Sequence, residues 1–233
     1  PAEPTKPAEP TKPAEPAKPA GPTEPVDPSV QHAVSAAVTE QKILAAKTDN
    51  DPEDSTFGLL QAKAVPKGKN AIRLSWKAVP SATGYIIYGN RCGTGYQKIT
   101  MTNKTVFLQK KLKKGTYYKY LVVAVSGEKV IASSKTIHVA TKGGKFCNPK
   151  KISVSKSRIS VKKGKTAKIK AKVTPESKTL RLKKHRKPAF ESSDPTIATV
   201  NAKGVVKGIS KGTCYVYVYA QNGVCKRIKI IVK

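Results

Sequence analysis

Acidic side chains are nearly missing from most of this chain. Of the 14 Asp and Glu in 233 residues, ten fall within residues 1–56, and only Glu128, Glu176, Glu191 and Asp194 remain for all that follows. So few carboxylates, none paired in sequence, leave no material for a two-carboxylate hydrolase or a calcium loop. The three histidines, His32, His138 and His185, are scattered, and the four cysteines, Cys92, Cys147, Cys214 and Cys225, contain no C-x-x-C spacing. No nucleophile elbow or phosphate loop stands out, so no catalysis, metal or cofactor is expected of this chain. Activity elsewhere in a longer parent protein stays open. Long apolar runs are missing too: nothing approaches the roughly 18 residues that a membrane-spanning helix needs. No signal peptide is visible. The chain opens inside a repeat, at Pro1 and without Met, so the expectation is a mature product or a fragment.

What is present is unevenly distributed. Ten of the 17 prolines lie in the first 28 residues, eight of them within the hexads PAEPTK, PAEPTK, PAEPAK and PAGPTE. Proline at every third position removes backbone donors and fixes φ, favouring an extended polyproline II spacer over a packed structure. At about 3.1 Å per residue such a stalk reaches roughly 85 Å. The other reading, a ligand for Pro-recognition domains, is the weaker one. Residues 29–48 differ: Val30, Ala33, Val34, Ala37, Val38 and Leu44 recur near helical spacing after a Ser29 cap. They predict a short amphipathic helix, with disorder as the alternative, because an isolated helix of this length is marginal. The acidic run DNDPEDST (49–56) reads as a linker.

From residue 57 onward the charge inverts. Residues 1–56 carry five Lys against ten acids, net −5; the remainder carries 40 Lys and Arg against four acids, net +36, which gives the +31 of the whole chain. Such a body attracts polyanions: nucleic acid, anionic cell-wall polymer, sulfated or sialylated glycan, acidic membrane. The plain alternative is a Lys-rich solvated surface, since lysine also blunts exposed sheet edges. Short β-rich segments with turn residues every 8–12 positions predict sandwiches, with strands near 59–65, 70–77, 84–90, 96–101, 104–110, 116–126 and 129–140. After a GGK break at 143–145 come 151–155, 158–161, 165–174, 187–191, 197–200, 204–208, 212–220 and 224–232.

In the first of these regions, Ile72, Leu74 and Trp76 alternate on one strand face, and Tyr118, Tyr120, Val122 and Ala124 on another. A buried Trp on the second strand and an L-x-x-G-x-x-Y corner, here Leu112, Gly115 and Tyr118, resemble fibronectin type III over about residues 57–142. The resemblance implies that Trp76 and Tyr118 are core, and that the Tyr118 hydroxyl bonds to nearby backbone. Integrin-type RGD is absent, so only the scaffold carries over. The family's geometry also brings the loop holding Cys92 to the pole where Cys147 lies. This implies a disulfide between them, with free thiols as the alternative.

The second region contains ISVSKSRISVKKGKTAKIKAKVTP and FESSDPTIATVNAKGVVKGISKGTCYVYVYA, followed by an apolar terminal strand. These segments resemble the bacterial Ig-like group 2 family closely. Pro195 and the glycines set turns, while Val200 and Val206 face the core. Gln221-Asn222-Gly223 fits a three-residue hairpin loop with Gly223 left-handed. That pairs Cys214 with Ile230, Val216 with Ile228, and Val218 with Lys226. Cys214, Val216 and Val218 then face inward, and Tyr215, Tyr217, Tyr219 and Cys225 outward, so Cys214 and Cys225 do not bridge. The tyrosine stripe is an aromatic surface candidate, against the alternative that Tyr simply suits exposed strands. The segment KTLRLKKHRK (178–187) has six Lys or Arg in ten residues and is an electrostatic footprint for a polyanion, with Lys183, Lys184, Arg186 and Lys187 as candidates. Without interleaved aromatics it is a poor nucleic-acid site, and any nucleic-acid binding is expected to be non-specific.

The sequence thus predicts an all-β chain: two tandem Ig-like β-sandwiches, 57–144 and 145–233, behind a disordered Pro-rich stalk (1–28) and a linker (29–56). The family resemblances imply an extracellular, bacterial cell-surface or secreted location. The expected function is monomeric, non-catalytic binding or adhesion to an anionic cell-wall polymer, a host glycan or a host protein. The alternative is a structural spacer or wall-association tail of a larger secreted enzyme.

Overall fold

The computed structural model describes residues 58–127 and 129–233; the Pro-rich hexads and the helix expected within 29–48 lie outside these. Eighteen strands account for the regular structure of the described residues, with no helix among them. The first nine are β1 (Gly58–Leu60), β2 (Ala62–Pro66), β3 (Ile72–Trp76), β4 (Gly84–Arg91), β5 (Gln97–Thr102), β6 (Val106–Gln109), β7 (Tyr117–Ser126), β8 (Lys129–Ser134) and β9 (Ile137–Ala140). They form a three-stranded sheet, β2-β3-β6, against a larger one ordered β1-β8-β7-β4-β5 with β9 also on β7. Ala64, Ile72, Leu74, Trp76, Tyr118, Tyr120, Val122 and Ala124 meet in one core. The alternation legible at 72–76 is the buried-exposed alternation of β3. The corner closes as the resemblance implies: the Lys113 amide donates to the Tyr118 hydroxyl at 2.9 Å, and Leu112 is buried. Gly115 has φ +61, and a Cβ there would lie 2.7 Å from the Gly144 backbone, so the corner packs directly on the GGK break.

Two expected strands are divided. Residues 59–65 split at Gln61, where the chain passes from one sheet (β1 on β8) to the other (β2 on β3). Residues 129–140 break at Lys135-Thr136, so that β8 pairs one half of β7 and β9 the other. At this break the Val122 amide donates to the Ser134 hydroxyl, 3.0 Å, in place of a ladder carbonyl. Alternation does not register either event, since each half keeps its period of two.

The remaining strands are β10 (Pro149–Val154), β11 (Arg158–Val161), β12 (Thr166–Lys168), β13 (Ala171–Pro175), β14 (Ala189–Ser192), β15 (Ala198–Val200), β16 (Val205–Gly208), β17 (Gly212–Tyr219) and β18 (Cys225–Val232). A sheet ordered β11-β18-β17-β14 and a sheet β12-β16-β15, with the pair β10-β13, enclose a second core of Ile159, Phe190, Val206, Cys214, Val216, Val218, Ile228 and Ile230. The terminal hairpin has the expected register, Cys214 opposite Ile230, Val216 opposite Ile228 and Val218 opposite Lys226. The Gly223 amide closes its three-residue loop on the Ala220 carbonyl at 2.9 Å. The expected strand 165–174 is likewise interrupted, at Ile169-Lys170, between β12 and β13.

Candidate functional site

The segment 176–188 bridges β13 and β14, and it joins the two sandwiches. Phe146 and Arg181 form an isolated parallel bridge; the Cys147 amide donates to the Arg181 carbonyl (3.1 Å), and the Arg181 amide to the Lys145 carbonyl (3.0 Å). The segment is therefore laced to the connection between the modules. Its polar side chains then sort by direction. Lys183, Lys184 and Lys187 are exposed. Arg186 turns inward instead: its Nε donates to the Thr136 carbonyl (2.8 Å), Nη1 to Lys187 (3.0 Å) and Tyr219 (3.3 Å), and Nη2 to Ala220 (2.9 Å). The strand break at 135–136 makes this possible by freeing the Thr136 carbonyl. Burial without a facing carboxylate lowers the Arg186 pKa to about 10. Arg186, a candidate alongside the three lysines, thus directs its guanidinium at backbone carbonyls, whereas the lysines are exposed.

The hairpin tip completes the joint. Ala220, Gln221 and Asn222 are buried, which is unusual for a polar loop, and their groups are satisfied across the interface. The His138 amide donates to the Gln221 carbonyl (2.6 Å) and the Ala64 amide to the Asn222 carbonyl (2.9 Å). The Gln221 side chain donates to the Lys183 carbonyl and accepts from the His185 amide, both 2.9 Å. Tyr117 donates to the Cys147 carbonyl at 2.6 Å, and Lys135 pairs with Glu191 at 3.6 Å. The rings of His138 and His185 stack, 5.3 Å apart and nearly parallel, and Tyr117 lies 4.4 Å from His185. Burial, then the cations Arg186, His185 and Lys119, holds the His138 pKa down at about 3. Burial, then Lys183, lowers that of His185.

The same joint explains two further departures. Tyr215 and Tyr217 are half-buried, with the Arg227 guanidinium 4.7 Å over the Tyr215 ring. Tyr219, expected outward with them, is 2% exposed. Its hydroxyl donates to Glu191 (3.0 Å) and accepts from Gln61 of the first sandwich (3.4 Å). The stripe therefore ends against the other module. The disulfide implied for Cys92 and Cys147 is absent: both are free thiols, as are Cys214 and Cys225. Cys92 holds the backbone end of Tyr117 and Cys147 the hydroxyl end, so a tyrosine side chain separates them. Burial raises the Cys92 thiol to about 11, and the Cys147 Sγ donates to the Leu180 carbonyl at 3.3 Å.

Beside the joint lies a groove of about 600 Å³ between β13 and the 182–188 turn. It is lined by the apolar residues Ala171, Val173, Leu182 and Pro188 and by Lys172, Lys184 and Lys187, among others. Lys172 was not a candidate from sequence; it belongs to an ordinary alternating strand, and only the fold brings it opposite 184–187. Among the described residues, no three His, Cys, Asp or Glu side chains cluster to hold a metal, and no helix is long and apolar enough to cross a membrane.

Sheet order, tyrosine corner and terminal hairpin define the class of protein: two Ig-like β-sandwiches in tandem, the first with the fibronectin type III arrangement. Residues 150–231, nearly all of the second sandwich, match the family Bacterial Ig-like domain (group 2). Similar solved structures include the FN5 domain of Drosophila Lar, 29% identical, covering 37% of this chain and 98% of that one, TM-score 0.33. An Fn3-like protein from Clostridium thermocellum is 26% identical, covering 35% and 88%, TM-score 0.32. The sixth fibronectin type III domain of human fibronectin type III domain containing protein 3 is 16% identical, covering 36% and 82%, TM-score 0.33. Among curated proteins there is no match. Modules of these two kinds are often extracellular parts of bacterial surface proteins and are typically non-catalytic.

Proposed function

We propose that this chain is a non-catalytic extracellular binding region of a bacterial surface or secreted protein, and that its second sandwich docks on an anionic cell-wall polymer or glycan. One observation carries the reading: Lys172, Lys184 and Lys187 line one groove together with apolar side chains on a body with 40 basic and four acidic residues after position 56. Three flexible ammonium groups around a shallow groove suit a repeating anion better than a small planar ligand, because each acts as a point charge without fork geometry. The apolar lining suits the carbon skeleton of a polyol or sugar. Lys183 adds charge at the same turn, whereas Arg186 sets the turn's shape.

The test is retention of the full chain on purified Gram-positive walls, with and without their anionic polymers, across a salt series. Lys172, Lys184 and Lys187 changed together to Ser provide the comparison. Retention that requires the polymer, persists near physiological salt and falls about tenfold or more in the triple variant supports the reading, at roughly 0.5–1 kcal/mol per lost contact. Retention indifferent to polymer and variant ends it, and leaves the chain as a spacer between other parts of a longer protein.

A further inference from the structure

A crevice of about 330 Å³ lies between the first sandwich and the terminal hairpin of the second. Strands β2 and β3 supply one side. Their register sets Lys63 beside Ser75, and alternation turns both away from the core that Ala62, Leu74 and Trp76 enter. The Lys77 amide, just past β3, donates to the Gln61 carbonyl at 3.3 Å. The hairpin contributes Gly223, which packs on Ala62 and Lys63, and Cys225, the first residue of β18. The lining is chemically mixed. Lys63 and Lys77 are exposed, Gln61 and Ser75 half-buried. Among the described residues, no ion pair or hydrogen bond engages the side chains of Lys63, Lys77 or Ser75. Glu191, near Cys225, is paired with neither lysine: it is engaged by Lys135 (3.6 Å) and by the Tyr219 hydroxyl (3.0 Å). The Nε1 of Trp76 is buried without an acceptor.

We propose that this crevice binds one anionic saccharide unit, free or at the end of a glycan, with its acid group between Lys63 and Lys77 and its hydroxyls toward Ser75 and Gln61. Size and chemistry both select this class. The volume stands at the lower end of the roughly 300–1,000 Å³ of small-molecule sites, which suits a single sugar-sized group. Two ammonium groups without a carboxylate call for a negative charge, and a hydroxyl beside a carboxamide offers both donors and acceptors to ligand hydroxyls. Simpler occupants fit less well. An inorganic anion uses the lysines and leaves the neutral polar groups idle. A neutral sugar leaves two like charges together, and an apolar ligand desolvates four polar side chains. The crevice shares no lining residue with the Lys172–Lys184–Lys187 groove, so it stands independently of the reading given to that groove. Because both sandwiches supply its walls, a bound ligand stabilises the docked joint by mass action.

The test uses the full chain and two reporters, one from each sandwich. Trp76 is the only tryptophan of the chain, and Cys225 is the one exposed cysteine among the described residues. Glucuronate and its methyl glycoside are the probes; glucose and acetate at matched ionic strength are the comparisons. The anionic sugar is expected to change Trp76 emission saturably and to slow labelling of Cys225 by N-ethylmaleimide, with one half-saturation concentration for both. A response to the methyl glycoside identifies a glycan end as the ligand, and a response to the free acid alone identifies the free sugar. Lys63→Gln with Lys77→Gln is expected to raise the half-saturation concentration about tenfold. Changing Lys172, Lys184 and Lys187 to Ser leaves it as in the parent. Absence of a saturable response overturns the proposal. So does an equal response to glucose or acetate, indifference to the Lys63 and Lys77 changes, or a Trp76 response without protection of Cys225, since the ligand then sits on the first sandwich alone.

Discussion

Arg186 shows how a cation in a basic cluster can be structural. Its guanidinium sits among carbonyls of three segments, Thr136 from the first sandwich, Lys187 from its own turn, and Tyr219 and Ala220 from the terminal hairpin. Only a planar fork with several fixed donors can serve acceptors in so many directions. The surrounding lysines have no such roles and are exposed. Arg186→Met is therefore expected to lose about 1–3 kcal/mol, the cost of leaving buried carbonyls without donors, partly offset by relief of a desolvated charge. Lys184→Ser is expected to stay within about 0.5 kcal/mol. Urea unfolding of the two variants beside the parent checks both; equal, small effects would show that Arg186 is just another surface charge.

At the scale of elements, the terminal hairpin both completes the second sandwich and plugs into the first. Gly223 makes this possible. Its φ of +86 is the left-handed conformation that the three-residue loop needs, and a Cβ there would run into the Ala62 carbonyl and the Lys63 Cα of the first sandwich. Gly223→Ala is expected to cost about 1 kcal/mol for the backbone. The larger consequence is displacement of the tip, with loss of the Ala64–Asn222 and His138–Gln221 hydrogen bonds. Small-angle scattering should then report a broadened distance distribution with the cores of both sandwiches intact. A distribution identical to the parent's would mean that the tip is not what holds the modules. This element also marks the limit of what the sequence discloses. Register, loop length and the inward set Cys214, Val216 and Val218 follow from alternation and a Gly at the third loop position, because those signals are local. Tyr219 does not follow: alternation places it outward with Tyr215 and Tyr217, and it is outward, but the other sandwich covers that end of the strand. Lys172 and Arg186 escaped for the same reason. Their roles depend on what stands opposite, and composition names residue types without saying which way each one turns. The three divided strands, at Gln61, at Lys135-Thr136 and at Ile169-Lys170, are invisible because the halves of each keep a period of two.

For the whole molecule, the joint is the part that should respond to pH. The imidazoles of His138 and His185 stack on each other, Tyr117 lies tilted against His185, and the charges near them, Arg186, Lys119 and Lys183, are all positive. His138 Nδ1 and His185 Nε2 are buried without a hydrogen-bond partner, so neither ring has an acceptor at that nitrogen to welcome a second proton. The folded pKa of His138, about 3, lies below the ordinary value of 6.5. Between these two values the opened state binds more protons than the closed one. Stability is therefore complete above about pH 6.5 and is lost as pH falls toward 3, by up to roughly 3 kcal/mol at pH 4.5 for this one group. The protons enter at the joint, where both histidines of the described residues, His138 and His185, lie stacked together. Acid should therefore uncouple the sandwiches before it unfolds them. Calorimetry is expected to give one shared transition at pH 7.5 and two at pH 4.5, and His138→Phe, which keeps a ring but cannot take a proton, should flatten that dependence. A single transition at both pH values, with the same response in His138→Phe, would place the acid sensitivity elsewhere. If the joint does open, the Lys172–Lys184–Lys187 groove loses the wall that Arg186 and Gln221 hold in place, so wall retention should weaken in the same pH interval even though every lysine keeps its charge.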